Sequence, residues 1–551
     1  MNSTKDHIAH LYSIRNRYGK QFVTKKIQLL HAVGIKHKKL SGKRALQLYY
    51  DALLFIVAYP DNKNIYKIAN DSLAQLQSFI GSIENTRARL YNTGLTGSAV
   101  CAAFSFEMVK WLRKTRRQDI SFSSFEASDA QIQAILSVVM PKVESEILQD
   151  ANAEWKGWLR RSKKKEEDLL DQLIDIFDST SLRPEVKDEL WNAIGINTEI
   201  NFSSHCCLPP RLIRPYYHRS LKRKISNERG EFKATPVKIN VAQAMQILDC
   251  SRMILIRHLR ELDPISFSAP ELVAYYQLPR GLSIALTSMV AQRRHPLDSY
   301  LGYIVFKNGL PVAYAGSWIM FDSARIGLNV FPSYRGGESQ YIFQLALQLH
   351  RKVYGLKRFS VDPYQIGKEN SDGIKSGSFW VYHHAAFKPL LKAQREIAAT
   401  EAKKIKTVKG YRSSAQTLAK LADSRMEMTM DDSAIKIDAT DLSLLWLMIL
   451  DKKYDNNRVL ASAGSAKKLA SILQIKNYQE EKMNFILENW AILLLANEKE
   501  LCSNTALKRS VKELFELKAY GSEEDFIRAM QKAKPLRNFL EELINDSSNI
   551  L

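Results

Sequence analysis

Few residues in this chain are spaced for chemistry. His205-Cys206-Cys207 and His383-His384 are ligand-type residues standing side by side, not at the i, i+3 or i, i+4 spacing that brings ligands together on a helix. No metal is therefore expected. No Gly-x-Ser-x-Gly elbow presents a nucleophile, which leaves a Ser-His-Asp or Cys-His hydrolase without support. Tyr91-Asn92-Thr93-Gly94-Leu95-Thr96-Gly97-Ser98 reads as the opening of a helix carrying Phe104, Met108 and Trp111. Such a turn can bind phosphate, but without the Gly-Lys-Ser/Thr of a P-loop it reads as a cap. The remaining candidates lie together: the turn Pro332-Ser333-Tyr334-Arg335-Gly336-Gly337-Glu338-Ser339-Gln340, the carboxylates Asp322, Asp362 and Glu369, the polar run Asn370, Ser376, Gly377 and Ser378, and the aromatic segment Phe379–Pro389. Asp362 closes a candidate strand, and strand ends in α/β sheets face ligand crevices. As Asp362-Pro363 it is equally a turn initiator.

The elements that position these residues follow from periodicity. Tyr303–Phe306 and Val312–Gly316 form a hairpin about Lys307-Asn308-Gly309, with glycine where positive φ is needed. Ile326–Phe331 reads as a third strand. The Arg-Gly turn opens a helix with Ile342, Leu345, Ala346, Leu349 and Val353 on its apolar face, capped by Gly355, and Phe359-Ser360-Val361 is the next strand.

This order resembles the core of the GCN5-related N-acetyltransferase (GNAT) superfamily, in the central region only. Val330, Pro332, Tyr334 and Arg335 match the family's Val-x-Pro-x-Tyr-Arg approach to the cofactor loop, while the two loop glycines fall on Glu338 and Gln340, and glycine stands instead at Gly336 and Gly337. The resemblance implies acyl-CoA (acetyl-CoA) as donor, its pyrophosphate held at the helix start by Val330, Arg335, Gly336, Gly337 and Ser339. Glu338 is expected to turn away from that site, towards Arg335. Phe379–Pro389 is similar to the family's closing segment, which makes Tyr382 the general acid and puts Ala386 in place of a usual glycine. Asp362 is the first choice for the base, and Glu369 and Asn370 are substrate candidates. The family's final pair of strands is expected to be missing, because Leu390–Ala422 has helical periodicity.

Composition sets the surroundings. The chain has 551 residues, 45% hydrophobic, and a formal net charge of +22. Residues 1–50 carry eleven Lys/Arg against Asp6, and residues 211–233 carry eight against Glu228 and Glu231. Such clusters suit RNA or another polyanion, and equally a solvated basic surface. The longest apolar runs, Leu442–Leu450 and Trp490–Ala496, fall well short of the ~20 residues that span a bilayer, and nothing at Met1–Gly19 looks like a signal peptide. No membrane contact and a cytoplasmic location are expected.

The fold class expected is α+β: a basic helical N-terminal region (1–204), a basic Pro-containing linker (205–235), a GNAT-like mixed-sheet domain (236–395) and a helical C-terminal region (396–551). The activity expected is acyl-CoA-dependent N-acyl transfer to a small-molecule or protein amine. The alternatives are an aminoacyl- or acyl-tRNA-dependent transferase of the same fold, or an inactive GNAT-like nucleic-acid-binding or scaffold protein.

Overall fold

A computed structural model describes residues 3–34, 42–81, 90–149, 154–162, 169–223, 232–431 and 436–548. The fold is α+β, mostly helical, with one large mixed sheet and one small antiparallel sheet. The small sheet has strands β1 (Ala99–Ala103), β2 (Ile120–Phe125) and β3 (Ile196–Asn201) in the order β1-β3-β2. The large sheet comprises β4 (Thr235–Val237), β5 (Val273–Leu278), β6 (Leu282–Thr287), β7 (Ser299–Lys307), β8 (Leu310–Met320), β9 (Ser323–Ile326), β10 (Asn329–Val330), β11 (Arg358–Val361), β12 (Lys388–Pro389) and β13 (Met426–Thr429). Its order is β12-β13-β11-β9-β8-β7-β6-β5-β4, with β10 also on β8.

β7 and β8 form the centre. Every residue of β7 is buried, so its near-continuous apolar run reflects cover on both faces. The turn between them has Asn308 at φ 45° and Gly309 at φ 85°, the geometry that matches strand twist in a two-residue hairpin. β9 pairs antiparallel with β8 and parallel with β11, Phe359 opposite Ala324. The third strand expected at 326–331 is interrupted: Gly327 and Leu328 leave the ladder and β10 resumes it in the same register.

The sheet is completed by a short strand pair on either side of the helical span 390–422. β13 pairs antiparallel with β11, Phe359 opposite Met428, and β12 lies on its other side. The helices Lys392–Thr407 and Ala415–Leu421 are an insertion between these strands. Leu390–Ala422 is helical as its periodicity predicts, and what the expectation of no further strands missed is the short antiparallel pair that flanks it. Strands of two and four residues are too short to register an alternation, and helices fill the gap between them.

Three cores redraw the expected boundaries. Four helices, Thr4–Ile14, Lys20–Gly34, Lys43–Ala58 and Lys63–Gly81, pack in one core with the large sheet. Residues 99–202 build a separate core on the small sheet, where Trp191 packs against Phe106 (tilted) and Phe177 (edge to face) with ring centroids 5.0 and 5.1 Å apart. The region 1–204 is thus two units, and its reading as purely helical fails at β1–β3. The described part of the expected linker is packed structure: Leu208 N–H donates to Gly309 O at 2.9 Å, Leu212 is buried, and β4 joins the sheet. The C-terminal helices from residue 437 onward form the third core, which takes in Met320 and Phe321 at the end of β8. The central unit extends through β13 rather than ending at 395.

No described helix is long and apolar enough to cross a membrane.

Candidate functional site

The break at Gly327–Leu328 opens a cavity of about 580 Å³, within the range of small-molecule and cofactor sites. Its walls come from β10 and the following turn, the start of the Ser339–Tyr354 helix, the Asn370–Tyr382 stretch, and residues 258–262 that follow the Val241–Arg257 helix.

The turn is shaped by close approach. Gly336 is at φ +85°, and a Cβ on Gly337 would lie 2.9 Å from the Tyr59 ring. The helix starts at Ser339, and its first main-chain donor to the helix ladder is Ile342, to Glu338 O at 2.9 Å. The amides of Ser339, Gln340 and Tyr341 thus have no partner inside the helix, and the helix dipole favours an anion there.

Glu338 turns away from this site, but not towards Arg335. Its carboxylate is 1% exposed and accepts from Arg280 Nη2 at 2.6 Å, Lys307 Nζ at 2.8 Å and Lys222 N–H at 2.8 Å. Lys307 is wholly buried, and burial pulls its ammonium down to about 8 even though Glu338 holds it up. Two cations in the interior need a counter-charge, and Glu338 supplies it. The expected Arg335–Glu338 pairing is corrected: Arg335 lies 3.9 Å from Asp372, across the cavity mouth.

Tyr382 lines the cavity at 2% exposure. Its hydroxyl accepts from the Leu328 N–H at 3.2 Å, the amide released by the strand break. Burial pushes the phenol up to about 12, so it stays protonated at neutral pH. Val330, Arg335, Gly336, Ser339 and Asn370 also line the cavity, with Asn370 capping the Ser371–Ser376 helix by accepting from Gly373 N–H at 3.1 Å. Gly337 lies behind the wall, against Tyr59.

Asp362 and Glu369 are not in the cavity wall. Asp362 lies 3.3 Å from Arg325 and 3.5 Å from Arg425, which makes it a structural tie between strand ends rather than a base. Glu369 sits in a turn at φ +54°. These two site assignments are corrected.

The better-placed carboxylate is Glu261, which the sequence reading passed over. It lines the cavity and accepts from Ser105 N–H and Ser105 Oγ, both at 2.8 Å. Burial raises its pKa, with Asp263 adding to the rise against the Ser105 hydrogen bonds. A raised carboxyl is a stronger base near neutral pH. His258 lines the same cavity, stacked on Phe331 at 4.7 Å, and burial lowers it to about 3, so it stays neutral and weakly basic. The only hint of Glu261 in the sequence is an acid just past a helix end, before Asp263-Pro264.

Both basic segments reach the loop. Arg15 Nη2 donates to Arg335 O at 3.2 Å and Asn16 Nδ2 to Gly336 O at 3.4 Å, while Lys222 holds Glu338. Lys26 is withdrawn from the surface in a buried pair with Asp61 at 2.8 Å. Lys36, Lys38, Lys39, Lys224 and Arg229 lie outside the described residues. Among the described residues no group of His, Cys, Asp or Glu could hold a metal.

Comparison with protein-family models, with curated proteins and with solved structures returns no match.

Proposed function

We propose that this protein is an acyl-CoA-dependent N-acyltransferase with a GNAT-like central domain. One observation carries the reading: Arg335, Gly336 and Ser339 of the loop and the protonated Tyr382 hydroxyl, which the Leu328 N–H holds in place, line one cavity together with a raised carboxylate, Glu261. The succession of hairpin, broken strand, helix, parallel strand and short flanking strand pair supports the reading. A CoA pyrophosphate fits the loop chemically, because Ser339 at the helix start and Arg335 line the cavity while the one carboxylate of the turn is buried elsewhere.

The donor brings an activated thioester. Glu261 takes the proton from the acceptor amine, and Tyr382, whose hydroxyl accepts from the Leu328 N–H and so keeps its own proton free to donate, protonates the departing sulfur. Tyr382→Phe should lower turnover by about 10²–10⁴ with donor affinity unchanged. The assay is release of free CoA thiol from acetyl-CoA in the presence of primary amines. Unchanged turnover would return Tyr382 to a packing role.

A second reading takes the acyl group from a charged tRNA. It is favoured by the meeting of both basic segments at the loop, which leaves Arg17, Lys20, Arg219 and Arg223 exposed nearby in sequence. RNA held by these cations should dissociate steeply as salt rises.

A further inference from the structure

A second cavity, of about 310 Å³, lies away from the first and is lined by Arg116, His205, Cys206, Cys207, Asp249 and Cys250 among others. It joins the segment after β3 to the Val241–Arg257 helix. Three of the five cysteines of the chain meet here. Cys206 is half-buried, and Cys250 is 8% exposed.

Beside them is a cation without a counter-ion. Arg257 is 4% exposed. Its Nη1 donates to the Tyr50 hydroxyl at 3.0 Å and its Nη2 to Ser204 O at 2.6 Å, while its Nε is buried without a partner. Among the described residues no carboxylate pairs with it. Asp249 is held by Arg252 and Arg116, and has a hydrogen bond from Trp111. A buried guanidinium with only neutral partners is costly unless an anion forms nearby. Cys206 is the group placed to supply one. Cys206 and Cys250 line the cavity together and their thiols are hydrogen-bonded to each other, which, with Arg257 and Arg116, favours the Cys206 thiolate against the effect of burial. Cys250 is correspondingly harder to ionise. His205, lowered to about 4 by burial and Arg257, is neutral and adds no charge. Cys207 lines the cavity on the side of the β7–β8 turn, where its sulfur would lie 3.1 Å from a Cβ on Gly309.

We propose that Cys206 and Cys250 form a peroxide-reactive dithiol, in which Cys206 is the attacking thiolate and Cys250 the resolving thiol. The Cys206 thiolate attacks one oxygen of a hydroperoxide. The O–O bond breaks, the leaving hydroxide (or alkoxide) takes up a proton, and Cys206 becomes a sulfenic acid. The Cys250 sulfur then attacks the Cys206 sulfur and expels water. Two thiols and one hydrogen peroxide give one disulfide and two waters, the protein being oxidised and the peroxide reduced. The cavity gives the oxidant its access to Cys206.

The test uses the full chain and its exposed Cys502 as internal comparator. At pH 7, Cys206 should react with hydrogen peroxide and with iodoacetamide at least about tenfold faster than Cys502, as expected of a thiolate beside cations. Peroxide treatment should remove two mass units from the intact protein, and a peptide map should link Cys206 to Cys250. Cys250→Ser should leave a dimedone-reactive sulfenic acid on Cys206. Equal rates at Cys206 and Cys502, or oxidised protein with no 206–250 link, would overturn the proposal. The rate comparison is made on the native chain, so it does not depend on any variant folding.

Discussion

Glu338 is where the sequence and the function pull hardest against each other, and its replacement has a calculable consequence. In Glu338→Gln the side chain keeps its shape and loses its charge. Lys307, wholly buried, and Arg280 would then face each other without a counter-ion. Removing one member of a buried ion pair costs about 3–5 kcal/mol. In a unit of this size that is a fall of roughly 10 °C in Tm, at about 2–4 °C per kcal/mol. Differential scanning calorimetry of the full chain reads the transition. The double variant Glu338→Gln with Lys307→Met should recover much of the loss, since removing a buried pair together leaves far less uncompensated charge than removing half of it. The carboxylate does not face the cavity, so the loop's affinity for CoA in any folded fraction should change little. A fall below about 1 kcal/mol, or a double variant as unstable as the single, would refute the reasoning that Glu338 is an interior counter-ion.

Ala386 stands at φ +72°, where the helix carrying Tyr382 ends, so Ala386→Gly should stabilise the protein by about 1 kcal/mol in denaturant titration by relieving a left-handed alanine. For Glu261 the raised pKa sets the sign: the base is protonated and idle at low pH and active above its pKa, so kcat should fall on acidification with a limb above the ordinary carboxylate range. Ser105→Ala removes one hydrogen bond that stabilises the carboxylate and should move that limb to higher pH, which a pH–rate profile in acetyl-CoA would register.

What was legible in the sequence is mostly local. The Lys307-Asn308-Gly309 turn, the Gly355 helix end at φ 68° and the helix from Ser339 each depend on neighbours a few residues away, and the structure has them where the spacing predicts. Asp362 misled because a strand-end carboxylate has the same sequence signature whether it faces a ligand or two arginines. Glu338 was visible as an oddity, but its partners Lys307 and Arg280 are 31 and 58 residues away, and ion pairs across a sheet leave no periodic trace. Glu261 depends on Ser105, 156 residues distant, which only the fold brings to it. β12 and β13 escaped for the same reason, being short strands defined by a pairing rather than by their own residues.

The central claim is that the loop at Gly336–Ser339 holds a CoA donor, and ligand-dependent stabilisation tests it most directly. The full chain is heated with CoA, acetyl-CoA or bulk tRNA in parallel, and with CoA again for Arg335→Ala. A ligand at a hundred times its Kd adds about 2.7 kcal/mol of stability. The account predicts a saturable rise in Tm with CoA and acetyl-CoA, weakened in Arg335→Ala, and no larger rise with tRNA. No rise at millimolar CoA would contradict it: a salt-sensitive rise with tRNA alone would move the donor to a charged RNA, and no rise with any of the three would leave a GNAT-like domain without a donor site.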